Sequence, residues 1–199
     1  MRRLLLRKLR ILETLYEDPH YNLVVECKKG NRKAQYELYN LFSKGMYNVA
    51  LRIVNDEDEA ADVLQDSFIH AFTRIVDFRH ESTFGWWMKQ IVVNKAISAY
   101  RKRKFDFIPL DEGGVEDIPD TEFTDQEEVN YQVQRVKDGI HLLPDNYRIV
   151  ISLYLLEGYD HEEIGHILKI TENTSRSQLL RAKRKLIAIL KNQGMNINK

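Results

Sequence analysis

The sequence predicts an all-α protein, two small helical domains joined by a flexible acidic linker. Three observations carry that prediction. Apolar residues recur at helical spacing, as in Ala61, Leu64, Phe68, Phe72 and Ile75. Gly and Pro are scarce, 9 and 4 of 199 residues, so long periodic segments run uninterrupted. Between two such blocks, Pro109, Gly113, Gly114 and Pro119 punctuate a stretch with ten acidic residues from Asp106 to Glu128 and no Lys or Arg. A stretch of that composition repels itself and forms no core.

Taken in order, residues 1–16 form an amphipathic helix with Leu5, Leu9, Leu12 and Tyr16 on one face, and Asp18-Pro19 ends it. The first helical domain covers 22–104. Asn31 caps a helix through Phe42, and a second helix runs from Met46 to Val54. Asp56 or Asp58 caps a third, to about Ile75. Asp77–Thr83 is a polar loop, after which Ser82 or Thr83 caps a fourth helix through Arg103. The linker is 105–126. The second domain, 127–191, breaks at Leu143-Pro144-Asp145, with Asp145 capping the next helix and Gly158 ending it. Residues 1–21 are a basic amphipathic extension and 192–199 a tail.

The second domain carries the most informative pattern. Asp160 and Glu163 have capping-box spacing, and Ile164, Ile167 and Leu168 give that helix its buried side. Gly165 leaves room for close helix–helix approach. Thr171 caps the following helix, whose core face is Ser175, Leu179, Ala182, Leu186 and Ile189. The opposite face carries Asn173, Ser177, Leu180, Arg181 and Arg184, flanked by Thr174, Arg176 and Lys185. Two short helices, a tight turn and a one-sided basic face are the layout that puts a helix into a DNA major groove. Residues near the start of such a helix reach base edges, and those farther along reach phosphates.

The helix ending the first domain differs. Lys89, Lys95 and Arg101-Lys-Arg-Lys104 interleave with Phe84, Trp86, Trp87 and Tyr100, and it holds no acid. Cations beside aromatic platforms suit single-stranded nucleic acid. Phe84 and Trp87 belong to the core; Trp86 and Tyr100 fit either role.

The bulk numbers exclude other classes. Thirty basic and 30 acidic residues cancel, but the basic ones gather at 1–10, 89–104 and 176–191. A single cysteine, Cys27, forms no disulfide framework and points to a reducing compartment. No apolar run approaches the ~20 residues that span a bilayer. The chain reads as cytoplasmic, without stable membrane insertion. His161 and His166 lie five apart, where the zincin pattern needs four. No third ligand, P-loop or nucleophile–base arrangement accompanies them, so no metal, no cofactor and no catalytic residues are expected, and the protein is not read as an enzyme.

With these residues in view the chain resembles bacterial RNA polymerase sigma factors of the sigma-70 family, in the extracytoplasmic-function (ECF) group. The likeness lies in Cys27-Lys-Lys-Gly-Asn-Arg-Lys-Ala-Gln35, Asp58-Glu-Ala-Ala-Asp-Val-Leu-Gln-Asp-Ser-Phe68 and Phe84-Gly-Trp-Trp-Met-Lys-Gln-Ile-Val-Val-Asn94. It continues in Leu143-Pro-Asp-Asn-Tyr-Arg148, Glu157-Gly-Tyr-Asp-His-Glu-Glu-Ile164 and Ser175-Arg-Ser-Gln-Leu-Leu-Arg-Ala-Lys-Arg-Lys-Leu186. It spans about 22–104 and 127–191, two collinear matches around the acidic linker. Lys169 and Trp86 depart from it, each standing where relatives often carry Gly.

The resemblance implies a sigma2-like first domain and a sigma4-like second one. It implies that Asn173, Thr174, Arg176, Ser177, Arg181, Arg184 and Lys185 bind the −35 element as duplex. It implies that Arg79, His80, Ser82, Trp86, Lys89, Asn94, Lys95 and Arg101 hold the melted −10 strand. Asp62, Gln65, Asp66 and Ile69, outward on the third helix, would dock on core RNA polymerase. The implied partners are that polymerase, through its clamp coiled coil and flap, promoter DNA in duplex and single-stranded form, and an anti-sigma factor. A helix-turn-helix regulator that acts beside another sigma factor is the alternative reading.

Overall fold

The computed structural model describes residues 18–103 and 126–192, the latter with side chains from residue 134 onward. The expected helix over 1–16, the linker and the tail beyond Asn192 lie outside the described residues. Every regular element among the described residues is helical. The chain divides into two compact units, with the boundary between Arg103 and Lys104.

The first unit holds α1 (Tyr21–Lys28), α2 (Arg32–Val54), α3 (Glu57–Thr73), a 3-10 turn (Ile75–Asp77) and α4 (Phe84–Arg103). α2, α3 and α4 pack against one another, and α1 lies on α2. Asn31 caps α2 by accepting from the backbone N–H groups of Lys33 and Ala34. Asn55 takes the left-handed backbone between α2 and α3 at φ 55°, a conformation Asn tolerates better than most residues. Asp56, not Asp58, then caps α3 by accepting from the Glu59 N–H at 2.9 Å. Acidic Glu57, Asp58 and Glu59 follow in its first turn, where the helix dipole favours negative charge.

Three expectations for this unit need correction. The helices placed at 31–42 and 46–54 are one helix, α2. Leu38, Met46, Val49, Ala50 and Ile53 are all buried, so the apolar stripe runs straight across Gly45. Glycine inside a helix costs only about 1 kcal/mol, and the stripe outweighs it. On α3 the buried residues are Ala60, Val63, Leu64, Ser67, Phe68 and Ala71, while Ala61 is exposed and Phe72 half-buried. Helical spacing allows Ala60 and Ala61 equally, and the inward pair Val63–Leu64 selects Ala60. α3 also stops at Thr73, so buried Ile75 belongs to the 3-10 turn.

The loop before α4 is anchored rather than wholly polar. Phe78 is buried and rests against Phe84 and Trp87, with ring centroids 6.2 and 5.0 Å away. Thr83 is the cap of α4, accepting from the Trp86 N–H at 3.3 Å. The Asp18 carboxylate accepts from the Phe84 N–H at 2.9 Å, so a residue far back in the chain closes the same helix end. Phe84 itself is fully buried; truncating such a ring to Ala costs about 3–5 kcal/mol.

The second unit holds α5 (Gln126–His141), α6 (Asp145–Ile151) running into a π turn (Ser152–Leu156), α7 (His161–Leu168) and α8 (Glu172–Asn192). α8 packs on α5, α6 and α7. Pro144, not Asp145, occupies the cap position of α6. Asp145 sits one residue inside and spends its carboxylate on Arg148, 2.6 Å away and 1% exposed. A buried guanidinium is costly unless paired, and that need outranks the cap. Gly158, at φ 79°, turns the chain after Glu157.

Candidate nucleic-acid interface

α7 and α8 form a helix-turn-helix set by local chemistry. Asp160 accepts from the Glu163 N–H at 2.8 Å, and the Glu163 carboxylate accepts from the Asp160 N–H at 2.9 Å, completing the capping box. Lys169 ends α7 in the left-handed conformation at φ 55°. Gly165 is needed by the turn rather than by the neighbouring helix. A Cβ there would lie 2.9 Å from the Ile170 carbonyl oxygen, whose own N–H donates back to the Gly165 carbonyl at 3.0 Å. Thr171 accepts from the Thr174 N–H at 3.1 Å and starts α8.

The core side of α8 is Ser175, Gln178, Leu179, Ala182, Leu186 and Leu190. Gln178 was not anticipated, and Ile189 is only half-buried, because Leu190 takes the place beside α5. Asn173, Arg176, Ser177 and Lys185 are exposed, and Thr174, Arg181 and Arg184 half-exposed. The helix thus presents the whole expected set away from its core. Arg176 is held by Glu172 one turn back, and the Ser177 hydroxyl donates to the Asn173 carbonyl at 2.8 Å. Both are surface contacts that a base edge or phosphate can replace at small cost.

In the first unit the expected residues divide. Trp86 and Lys89 come together, the ammonium 5.4 Å from the indole centroid. Arg79 and Asn94 are exposed, and Ser82 and Arg101 half-buried. Lys95 lies about 180° round the helix from Trp86 at 3.6 residues per turn. It faces α3, with its ammonium 3.7 Å from the Asp66 carboxylate. His80 sits at φ 55°, its ring against those of Tyr21 and Phe78 at 4.8 and 4.7 Å. Burial lowers its pKa, and the adjacent Lys28 ammonium lowers it further. Tyr100, open between two roles, is a core residue at 5% exposure.

On α3, Asp62, Gln65, Asp66 and Ile69 all face solvent. Ile69 is 58% exposed, and Val76, one turn beyond the helix end, 65%. The outer face of α3 is therefore acidic at its start and apolar at its end.

Lys28 was missed. Its ammonium donates to the Phe78 carbonyl at 2.6 Å and lies 3.1 Å from Nε2 of His80, latching the loop to α1. Sequence offers no signal for a contact across fifty positions. His161 is buried and His166 exposed, and no cluster of His, Cys, Asp and Glu among the described residues could hold an ion. Cys27 is buried, and desolvation pushes its thiol up to about 11, which makes it a poor nucleophile. No helix among the described residues is long and apolar enough to cross a membrane.

Comparison with known proteins follows the same division. Residues 38–105 match the family Sigma-70 region 2, and residues 134–186 match Sigma-70, region 4. The ECF RNA polymerase sigma factor SigM of Bacillus subtilis is 30% identical over 164 residues, covering 80% of this chain and 96% of that one. The ECF RNA polymerase sigma-E factor of Haemophilus influenzae is 31% identical over 170 residues, covering 81% and 89%. Among solved structures, the sigma factor RpoE of Bartonella quintana, in complex with the anti-sigma factor NepR, shares the fold. Its TM-score is 0.52 at 20% identity, covering 82% of this chain and 98% of that one. A capped helix-turn-helix in one unit, an acid-faced helix and aromatic–basic helix in the other, and matches to both sigma regions in order have one meaning: the chain belongs to the sigma-70 family of RNA polymerase sigma factors, in its extracytoplasmic-function group.

Proposed function

We propose that this protein binds core RNA polymerase and directs it to promoters, with α8 reading the −35 element and the 77–83 loop and α4 holding the melted −10 strand. The observation that carries the reading is the polar and basic face of α8, from Asn173 to Lys185, presented outward by two well-capped helices. Arg176, Ser177 and Arg181 lie toward the start of α8, where base edges come within reach, and Arg184 and Lys185 fall to phosphates. In the other unit, a base drawn out of the duplex stacks on Trp86 beside the Lys89 charge, which repays part of the unstacking cost of a few kcal/mol. Arg79, His80 and Ser82 would approach the strand from the loop and Asn94 and Arg101 along α4, while Lys95, on the side of the helix opposite Trp86 and beside Asp66, would contribute charge rather than contact.

The outer face of α3, with Asp62, Gln65, Asp66 and Ile69, docks on a basic partner surface of the polymerase. Acid and apolar residues together suit a coiled coil that offers both charge and aliphatic surface. An anti-sigma factor is a further partner, since the Bartonella quintana relative was crystallised with one. The protein works in the cytoplasm, where polymerase and promoters are, and does no chemistry of its own.

Purified protein added to core polymerase should give run-off transcripts from a small subset of a promoter library. Transcription that also requires another sigma factor would instead identify a helix-turn-helix regulator.

A further inference from the structure

α7 and α8 are joined inside the second unit by a buried polar contact. His161 opens α7 and is 8% exposed; its Nδ1 lies 2.9 Å from Oγ of Ser175, fully buried in the first turn of α8. The Tyr154 ring, from the π turn, stacks on the imidazole with centroids 4.6 Å apart and planes 22° from parallel. The other buried residues of the two helices include Ile164, Leu168, Leu179 and Ala182.

Those apolar contacts set which face of α8 turns inward, but only coarsely, because hydrophobic attraction is non-directional. A hydrogen bond is directional and weakens steeply when misaligned. The position of this one matters, because Ser175 directly precedes Arg176 and Ser177. Side-chain tips lie about 5–6 Å from a helix axis, so turning α8 by about 20° moves them about 2 Å. That exceeds the tolerance of a hydrogen bond to a base edge. Burial lowers the imidazole pKa, and the Arg176 and Lys183 charges lower it further, while Glu172 and Asp160 act in the other direction.

We propose that His161 is a positioning residue for −35 recognition: the His161–Ser175 hydrogen bond, braced by Tyr154, fixes the rotation of α8 about its axis and so decides which bases Arg176, Ser177 and Arg181 face. This rests on the reading of α8 as the −35 reader. His161 touches no DNA in this account; it acts through the helix it holds.

The test uses full-length protein in holoenzyme with core polymerase. Run-off from a preferred promoter is compared with run-off from the same promoter carrying one −35 substitution. His161→Phe keeps a ring to stack on Tyr154 and removes the nitrogen; Ser175→Ala removes the partner. Each should lower discrimination about fivefold, the worth of one hydrogen bond of about 1 kcal/mol. The double variant should lose no more than either single, since both remove the same contact. His161→Asn, whose amide places a polar atom near the position of Nδ1, should restore most of the discrimination. Thermal melting, measured in parallel, separates this from general loosening: His161→Asn should recover discrimination even where its melting temperature matches that of His161→Phe. Discrimination unchanged in both His161→Phe and Ser175→Ala overturns the proposal, as does loss that multiplies in the double variant. If the unaltered protein shows no −35 preference at all, the reading of α8 fails, and the positioning role with it.

Discussion

Lys95 and Asp66 face each other across α4 and α3, the ammonium 3.7 Å from the carboxylate. One belongs to the expected −10 set and the other to the expected docking face, so the two surfaces meet in one ion pair. The pair is partly exposed, with side-chain exposures of 34% and 72%. At that exposure it stabilises the fold by well under 1 kcal/mol. Its interest lies in what it does to mutagenesis, because a change at Asp66 alters Lys95 as well.

Docking is therefore tested most cleanly at Asp62. Asp62→Arg should weaken binding to core polymerase about tenfold at low salt, and less at high salt. Melting of the free protein should not change, since Asp62 is exposed. Asp66→Arg should weaken core binding too, but should also free Lys95 and raise single-strand affinity. Fluorescence anisotropy with core polymerase and with a −10 oligonucleotide distinguishes the two effects. Unchanged core affinity in Asp62→Arg would remove this face from the interface.

In the second unit, Arg181→Ala should cost about 1–3 kcal/mol of discrimination at one −35 position if Arg181 reads a base. Lys185→Ala should weaken binding evenly across sequences and reduce the salt slope by about one unit. Competition binding across single-base variants of the site separates the patterns. Equal losses on every sequence for Arg181→Ala would move that residue to the phosphate class.

Much of this was legible in the sequence, and the reason is locality. Asn31, Asp56, Thr83, Asp160 with Glu163, and Thr171 each act within three residues of themselves, so spacing exposes Asn31, Asp160 with Glu163, and Thr171 outright and narrows the other two caps to Asp56 or Asp58 and Ser82 or Thr83. The outward face of α8 follows from its 3.6-residue period. What could not be read depends on distant partners. Asp18 caps α4 and Lys28 latches the loop at Phe78, and neither has a local signature. Lys95 belongs to a basic helix by sequence, yet it turns toward α3 because an acid waits there. That 31–42 and 46–54 are one helix could be read only from the apolar stripe that continues through both, buried at Leu38, Met46, Val49 and Ile53.

The latch carries its own expectation. Lys28→Met removes a charged donor from the Phe78 carbonyl and from beside His80, a loss of about 1.5–3 kcal/mol for a charge-assisted bond. The loop should loosen, so permanganate reactivity in the −10 region should fall while duplex binding through α8 persists. Full promoter opening by Lys28→Met would show that loop order is unimportant for melting.

Acid should destabilise both units. His80 and His161 have folded pKa values below the unfolded value of about 6.5, so their neutral forms contribute stability fully above it. The unfolded chain binds more protons as pH falls below about 6.5, and stability declines through that window until the folded groups protonate as well. Around His80 the facing charges are Lys28, which lowers its pKa, and Asp18, which opposes that. Around His161 they are Arg176 and Lys183 against Glu172 and Asp160. Urea melts at pH 7.5 and 5.5 should differ in midpoint, and His161→Phe should shrink the difference. Identical midpoints would contradict this.

Lys169 holds a left-handed backbone at φ 55° where glycine would be unstrained. Lys169→Gly should raise stability by up to about 1 kcal/mol, less whatever extra freedom glycine gives the unfolded chain. Gly165→Ala should lower it, because the new Cβ meets the Ile170 carbonyl oxygen. Opposite signs in chemical denaturation are expected, and a destabilising Lys169→Gly would show that its side chain matters more than its backbone.

Promoter choice by this chain is proposed to run through α8 and through the loop and helix around Trp86. It is tested most directly by mapping transcript 5′ ends from a randomised promoter library, with core polymerase and this protein alone. Starts should be enriched downstream of two shared elements. Preference at the upstream element should vanish in the Arg176→Ala, Ser177→Ala, Arg181→Ala triple variant, and preference at the downstream one should weaken in Trp86→Ala. Absence of any enriched element with the unaltered protein, or the same enrichment in the triple variant, would contradict it.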